Sequence, residues 1–404
     1  MASLIFENCV IVDVRRGSRT DDALVAAEGE RIVYSGPRGD ADLPPDVRRI
    51  DLEGTHVVPG LINCHVHFGL VLPGTEGERL RGESDAALAL RMAHNAAAAL
   101  AAGVTTVRLV GERPYVDVAL RRSIERGETR GPRVVTAGPL LISTGGHGWE
   151  LGSCVEADGA DGFRTAARRQ LRNDVDLLKI SVSGGIAGHN EQIADSQMTR
   201  EEINAVTETA HSRGRKVAAH AGPADVVALA VECGVDSIEH GYFLTAEVAD
   251  LMVGRGAWLV PTINVSRAPH FYEKIGAPQW YREKALAARE LHWTGLRAAI
   301  ARGVRIAMGT DMMPHEPFDG TSVTVRELEF YVDAGMSPLE ALRTATVNAA
   351  ALLGRPDLGT VEAGALADFV VLRDDPLENI AALRRLETVV ARGRVVAQGE
   401  AAPT

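Results

Sequence analysis

The stretch "PGLINCHVHFGL", residues 59–70, runs from a proline through apolar residues into two histidines two apart, His65 and His67. In a β-strand, residues i and i+2 face the same side. A strand ending here therefore projects both imidazoles together. Two strand-end histidines can simply satisfy loop carbonyls, so the rest of the chain must decide. It alternates. Seven more apolar runs follow: "TTVRLVG" (105–111), "RVVTAG" (133–138), "DLLKISVSG" (176–184), "KVAAHA" (216–221), "SIEHG" (237–241), "WLVPTI" (258–263) and "RIAMGTD" (305–311). Helical patterns fall between them, among them 85–103, 199–214, 223–234, 245–256 and 282–303, several ending in glycine. Thr199 and Glu202 have capping-box spacing. Eight strands alternating with helices predict an α/β fold, a (β/α)8 TIM barrel. The alternative is an open doubly wound sheet, whose GxGxxG fingerprint after the first strand is absent.

Both ends of the chain read differently. Residues 1–58 and 356–404 hold short strand-like runs broken by Gly, Asp and Pro, such as "SLIFENCVIVD" and "ADFVVLRDD". They are expected to pair into one small composite β-sandwich domain, with the barrel over 59–355. The N-terminus lacks the basic start and apolar length of a secretory signal. No uncharged apolar window is long enough to span a bilayer. The net charge of −11 argues against nucleic acid or an anionic membrane surface as partner. A small-molecule substrate is expected. Four cysteines, Cys9, Cys64, Cys154 and Cys233, form no CxxC pair and fit a reduced, cytoplasmic chain.

Barrel chemistry sits at the C-terminal strand ends. There the sequence places His65 and His67 (strand one), Lys179 (four), His220 (five), His240 (six) and Asp311 (eight). Each alone has a structural reading; six on one rim do not. Imidazole and carboxylate suit Zn, and also Mn, Fe or Co. Lysine is the odd member, because an ammonium has no lone pair. Reaction of the neutral amine with CO2 gives a carbamate, whose two oxygens can bridge two metals. Burial favours the neutral amine.

The set "HVH", "LLKIS", "AAHAG", "IEHG" and "GTD", in this order, resembles the amidohydrolase superfamily over nearly the whole chain. "GVTTVR", "STGGHG", "HSRGRKVAAHA" and "GVDSIEHG" resemble its branch of Xaa-Pro dipeptidase-like and ochratoxinase-like metal-dependent amidases. The resemblance implies a hydrolase of carbon–nitrogen bonds with two divalent metal ions. His65, His67 and Asp311 would hold one ion and His220 and His240 the other, with carbamylated Lys179 bridging. A hydroxide between the ions would attack, with Asp311 as general base. Homo-oligomers are common in this superfamily, so one is expected. Two departures stand out: Leu109 replaces the usual acid after Arg108, and Gly222 replaces a frequent second histidine.

For the pocket, His147 of "GGHG" is expected to polarise the substrate carbonyl or hold its carboxylate. Tyr242 is a candidate hydrogen-bond donor. Arg108 could clamp a substrate carboxylate, or sit in a buried ion pair. His189, Asn190, Arg267, His270, Tyr272 and His315 lie on candidate specificity loops. His94, His211 and His292 fall on helices and read as surface residues. Two other functions compete: a mononuclear deaminase or cyclic-amide hydrolase, and a catalytically inactive binding or assembly protein. Lys179 speaks against the first and the complete ligand set against the second.

Overall fold

The computed structural model describes residues 4–44 and 46–398. The first three residues, Pro45 and the last six, which include the end of the expected C-terminal strand run, lie outside the described residues. The chain divides into two compact units: Met1–Asn63 with Ala97–Thr106 and Pro314–Thr404, and Cys64–Ala96 with Val107–Met313.

The eight barrel strands are Leu61–Val66, Val104–Leu109, Arg133–Thr136, Leu177–Ser181, Lys216–Pro223, Ser237–Phe243, Trp258–Val260 and Arg305–Ile306. Strands four to eight pair in parallel as sequential neighbours. Strands one to three form a second sheet. Backbone bonds join the two: Cys64 N donates to Met308 O at 2.8 Å, and Asp176 N to Thr136 O at 2.7 Å. The result is a closed (β/α)8 barrel rather than an open sheet. Strands such as Leu177–Ser181 are buried throughout, as expected when helices cover a parallel sheet. Intervening helices include Arg200–His211, which opens with the anticipated capping box of Thr199 and Glu202.

Register decides what meets at the rim. Ser181 lies opposite His220, and Ala221 opposite His240. The loop after strand three is more ordered than a plain lid. Its flanks, Leu140–Ile142 and Cys154–Glu156, form two further parallel strands that extend the sheet beyond strand four. Strand eight runs on past Ile306 without regular pairing, and Gly309 crosses strand one closely. A Cβ there would lie 2.7 Å from the His65 Cβ and 2.4 Å from Val260, so only glycine allows the approach.

The other unit contains one sheet of seven strands drawn from both ends of the chain. Its order is 394–398, 386–391, 369–372, 49–59, 4–13, 18–28 and 31–37. Alternation along these strands puts Phe6, Val25, Val57, Phe369 and Val371 in one core, with Phe6 meeting Phe369 edge-on at 4.9 Å. Residues 364–367 bond to Ile32 on one edge and to Gly393 on the other, which wraps the sheet about that core.

In the same unit Glu329 receives Arg384 at 2.6 and 2.9 Å and Arg326 at 2.9 Å. Burial pushes its carboxyl up, but the two arginines outweigh that and leave it below the ordinary glutamate range. A depressed carboxylate adds stability above the unfolded-state pKa, and this is lost as pH falls through the folded one. Glu329→Gln should therefore cost about 1–2 kcal/mol near neutrality, discounted for the exposure of Arg384. It should also flatten the acid limb of a stability-versus-pH curve from urea melts. An unchanged acid limb would contradict this. Among the described residues, no helix is long and apolar enough to cross a membrane.

Candidate metal centre

The six rim residues named from the sequence come together around one pocket in the barrel unit. His65, Lys179, His220 and His240 are each at most 3 % exposed. Asp311 Oδ1 lies 3.3 Å from His65 Nε2 and 3.2 Å from His67 Nε2. Donor atoms of His65, His240 and Asp311 all fall within 4.8 Å of one another. The rings of His220 and His240 are 4.6 Å apart, and those of His65 and His240 4.8 Å.

Each histidine has one ring nitrogen committed to a neighbour. His65 Nδ1 pairs with Glu239 Oε2 at 2.7 Å, His67 Nδ1 with Gly111 O at 2.8 Å, and His240 Nδ1 with Thr262 Oγ1 at 2.6 Å. His220 uses Nε2, on Gly184 O at 3.0 Å. Such partners fix tautomer and ring orientation and present the other nitrogen as a ligand atom. Burial, with neighbouring cations, pushes His220 and His240 well below the ordinary histidine range, which keeps lone pairs available. Asp311 stays ionised because His65 and His67 outweigh its burial.

Lys179 makes no hydrogen bond or salt bridge among the described residues, although it is buried. Burial, opposed by Glu239, brings its ammonium down to about 8. A buried amine of that acidity, in one pocket with four histidines and without a hydrogen-bond partner among the described residues, fits the carbamate chemistry well. The donor set fits a metal centre.

Backbone strain marks the same places. His240, Thr262 and Asp311 adopt left-handed φ of 70°, 51° and 52°. For a β-branched residue such as Thr262 this is a true outlier. Asp311 is held there by its N–H on His65 O at 2.8 Å.

Of the two readings of Arg108, the buried ion pair is the one found, and its placement as a substrate-binding residue is corrected. Arg108 does not line the pocket; its guanidinium donates to Glu239 at 2.7 and 2.9 Å and to Ser237 Oγ at 3.1 Å, and its Nε is committed to Cys64 O. Its guanidinium is committed to the buried ion pair. Burial pushes the Glu239 carboxyl up, but Arg108, His65 and Lys179 hold it well below the usual range. His292 is corrected too: it is 1 % exposed and bonds Ser266 Oγ and Pro261 O, with its ring against Tyr242 at 4.9 Å. His292, Leu296 and Ala299 are buried at i, i+4 and i+7, a spacing that the sequence did carry. His94 and His211 are exposed as expected.

His147 and Tyr242 both line the pocket. His147 stacks on His220 at 4.2 Å, and Tyr242 on His240 at 5.1 Å. Of the loop candidates in this unit, Tyr272 lines it, whereas His189, Asn190, Arg267 and His270 are not among its lining residues; His315 belongs to the other unit. The walls are largely apolar, with Leu70, Leu140, Ile186, Val265, Phe271 and Tyr281. Near Leu109, which replaces the usual acid, stands the buried Glu112. It accepts from Phe68 N at 2.5 Å and Gly69 N at 2.9 Å and so fixes the turn after His67.

The chain belongs to the amidohydrolase family, whose pattern it matches over residues 56–396. Its class is that of hydrolases acting on carbon–nitrogen bonds. It is 31% identical to an ochratoxinase of Aspergillus niger over 403 residues, covering 90% of this chain and 80% of that one. It is 27% identical to an imidazolonepropionase of Streptomyces coelicolor over 387 residues, covering 87% and 85%. Among solved structures, a Xaa-Pro dipeptidase with methionine bound in its active site is 30% identical, with a TM-score of 0.88, covering 98% of this chain and 100% of that one.

Proposed function

We propose that the chain is a binuclear metal-dependent amidase that cleaves an amide or peptide C–N bond in an N-acyl amino acid or a dipeptide such as Xaa-Pro. The observation that carries the reading is Lys179, a buried amine with no hydrogen-bond or salt-bridge partner among the described residues, lining one pocket with four histidines and Asp311. His65, His67 and Asp311 would hold one ion, His220 and His240 the other, and carbamylated Lys179 both; zinc suits this donor set. When bound, such ions acidify water and polarise a carbonyl. Asp311 takes the proton from the attacking water and delivers it to the leaving nitrogen. The C–N bond breaks, and a carboxylate and an amine leave. His147 and Tyr242 bind the substrate, and the apolar walls favour an apolar acyl group or side chain. Four free cysteines support a reducing, cytoplasmic setting. We extend the family habit to a homo-oligomer.

The second reading is a single-ion hydrolase of cyclic amides or amidines. The tight His65–His240–Asp311 trio favours it. Metal content on protein purified in bicarbonate decides between them: about two ions per chain for the amidase, about one for the alternative. Chelation should abolish hydrolysis of a panel of N-acyl amino acids and Xaa-Pro dipeptides, and added Zn²⁺ or Mn²⁺ should restore it. Chelated protein that stays fully active would refute both.

A further inference from the structure

We infer that Glu191 is a positioning residue for His147, carried on a stapled loop that sets the ring over the pocket. The inference rests on the amidase reading of the site. His147 Nδ1 lies 2.5 Å from Glu191 Oε1, with the two side chains 12% and 8% exposed. The other Glu191 oxygen accepts from Gln197 Nε2 at 3.0 Å, and Gln197 Oε1 accepts from the His147 backbone N–H at 2.9 Å. Backbone and ring of His147 are thus both held from one loop.

That loop is built to stay put. Its base is closed by a bridge between Ser183 and Ser196 and by Gly184 N on Asp195 O at 2.9 Å. Lys284, on the helix Gln279–Ala287, reaches across and donates to Gly188 O at 2.6 Å and Glu191 O at 2.5 Å. Two glycines make room. A Cβ at Gly185 would lie 2.3 Å from the His147 ring, and one at Gly188 2.2 Å from Glu191 Oε1. Any side chain at either position would displace the pair.

The chemistry follows from which atom holds the proton. Glu191 is ionised: burial pushes its carboxyl up, but His147, Gln197 and Lys284 bring it below the ordinary range. A carboxylate accepts only, so Nδ1 of His147 must carry the hydrogen. Nε2 is then the nitrogen left for the substrate, in a ring whose plane is set by stacking on His220.

The test is a double-mutant cycle with Glu191→Gln and His147→Ala, with metal content and a nitrogen spectrum of ¹⁵N-histidine-labelled protein measured in parallel. Glu191→Gln is expected to lower kcat about 10- to 100-fold. KM should stay within about threefold and metal content should not change. In the His147→Ala background the same change should cost less than about twofold, because Glu191 acts only through the ring. The Nδ1-protonated His147 signal, assigned by its loss in His147→Ala, should shift or broaden in Glu191→Gln. Wild-type kcat in Glu191→Gln, or equal losses in both backgrounds, would overturn the inference. If Glu191→Gln does not fold, Glu191→Asp, one methylene too short to reach Nδ1, runs the same cycle. A wild-type chain that hydrolyses none of the panel sinks the amidase reading instead, and the nitrogen spectrum then decides the pairing alone.

Discussion

Lys179→Ala is expected to abolish turnover and to lose at least one ion per chain. Lysine is the wrong residue for its surroundings unless it is modified. Burying an ammonium without a partner is costly, and among the described residues the amine meets neither a carboxylate nor a carbonyl within bonding distance, though it is only 3 % exposed. An ammonium brought down to about 8 leaves a useful fraction of free amine near neutrality, and free amine is the form that captures CO2. Alanine removes the long stem and the oxygens it would carry, yet leaves the histidine anchors untouched. The fold should therefore survive. A short carboxylic acid diffusing into the vacated space should restore part of the activity, because it supplies the missing oxygens. Full activity in Lys179→Ala would refute the bridging carbamate. Loss of activity with full metal content would mean that the lysine acts on the substrate rather than on the centre.

The second large effect is expected from Glu239→Ala, on stability and on the centre together. Glu239 is fully buried and meets three neighbours, the Arg108 guanidinium, His65 Nδ1 and the Ser237 hydroxyl, which donates to it at 2.6 Å. Without it a guanidinium remains inside the barrel with only Ser237 and the Cys64 carbonyl for partners. Breaking one side of a buried pair costs about 3–5 kcal/mol. His65 also loses the acceptor that fixes its tautomer, and metal affinity should fall about 10- to 100-fold. Guanidinium melts of metal-stripped protein read the first effect, and competition with a coloured chelator reads the second. Glu239→Gln, which keeps the shape and one acceptor, should fall between wild type and alanine in both. Wild-type midpoints for Glu239→Ala would refute the account of the buried network.

The barrel was legible because strand and helix periods alternate plainly, and the rim residues because they stand within or at the end of apolar runs. The groups that aim them were not. Glu239 stands beside His240 in sequence but serves His65, 174 residues away. Thr262 reaches His240 only through a left-handed backbone that a β-branched residue does not advertise. Glu191 sits in a polar stretch, "GHNEQ", with no period to read. Arg108 shows the limit of residue type as a guide: a guanidinium near a rim suits a carboxylate equally well on a substrate or on a neighbouring strand, and only packing tells which. His292 was the avoidable miss, since its buried spacing with Leu296 and Ala299 was present in the helix.

The seven-stranded sheet has a consequence for how the protein is made. The strand 49–59 pairs on one side with 4–13, an early neighbour, and on the other with 369–372, synthesised roughly 300 residues later. At ordinary translation speeds that is a wait of about 15 to 60 s. During it, one edge of the nascent sheet, with Val57 and Val58 on it, has no native partner and can pair with another chain. The whole barrel sequence is synthesised between the two halves of this sheet, before the sheet can be completed. Slow or crowded synthesis should therefore favour aggregation through the N-terminal strands, and the yield of soluble protein should depend on what shields them until the last strands arrive.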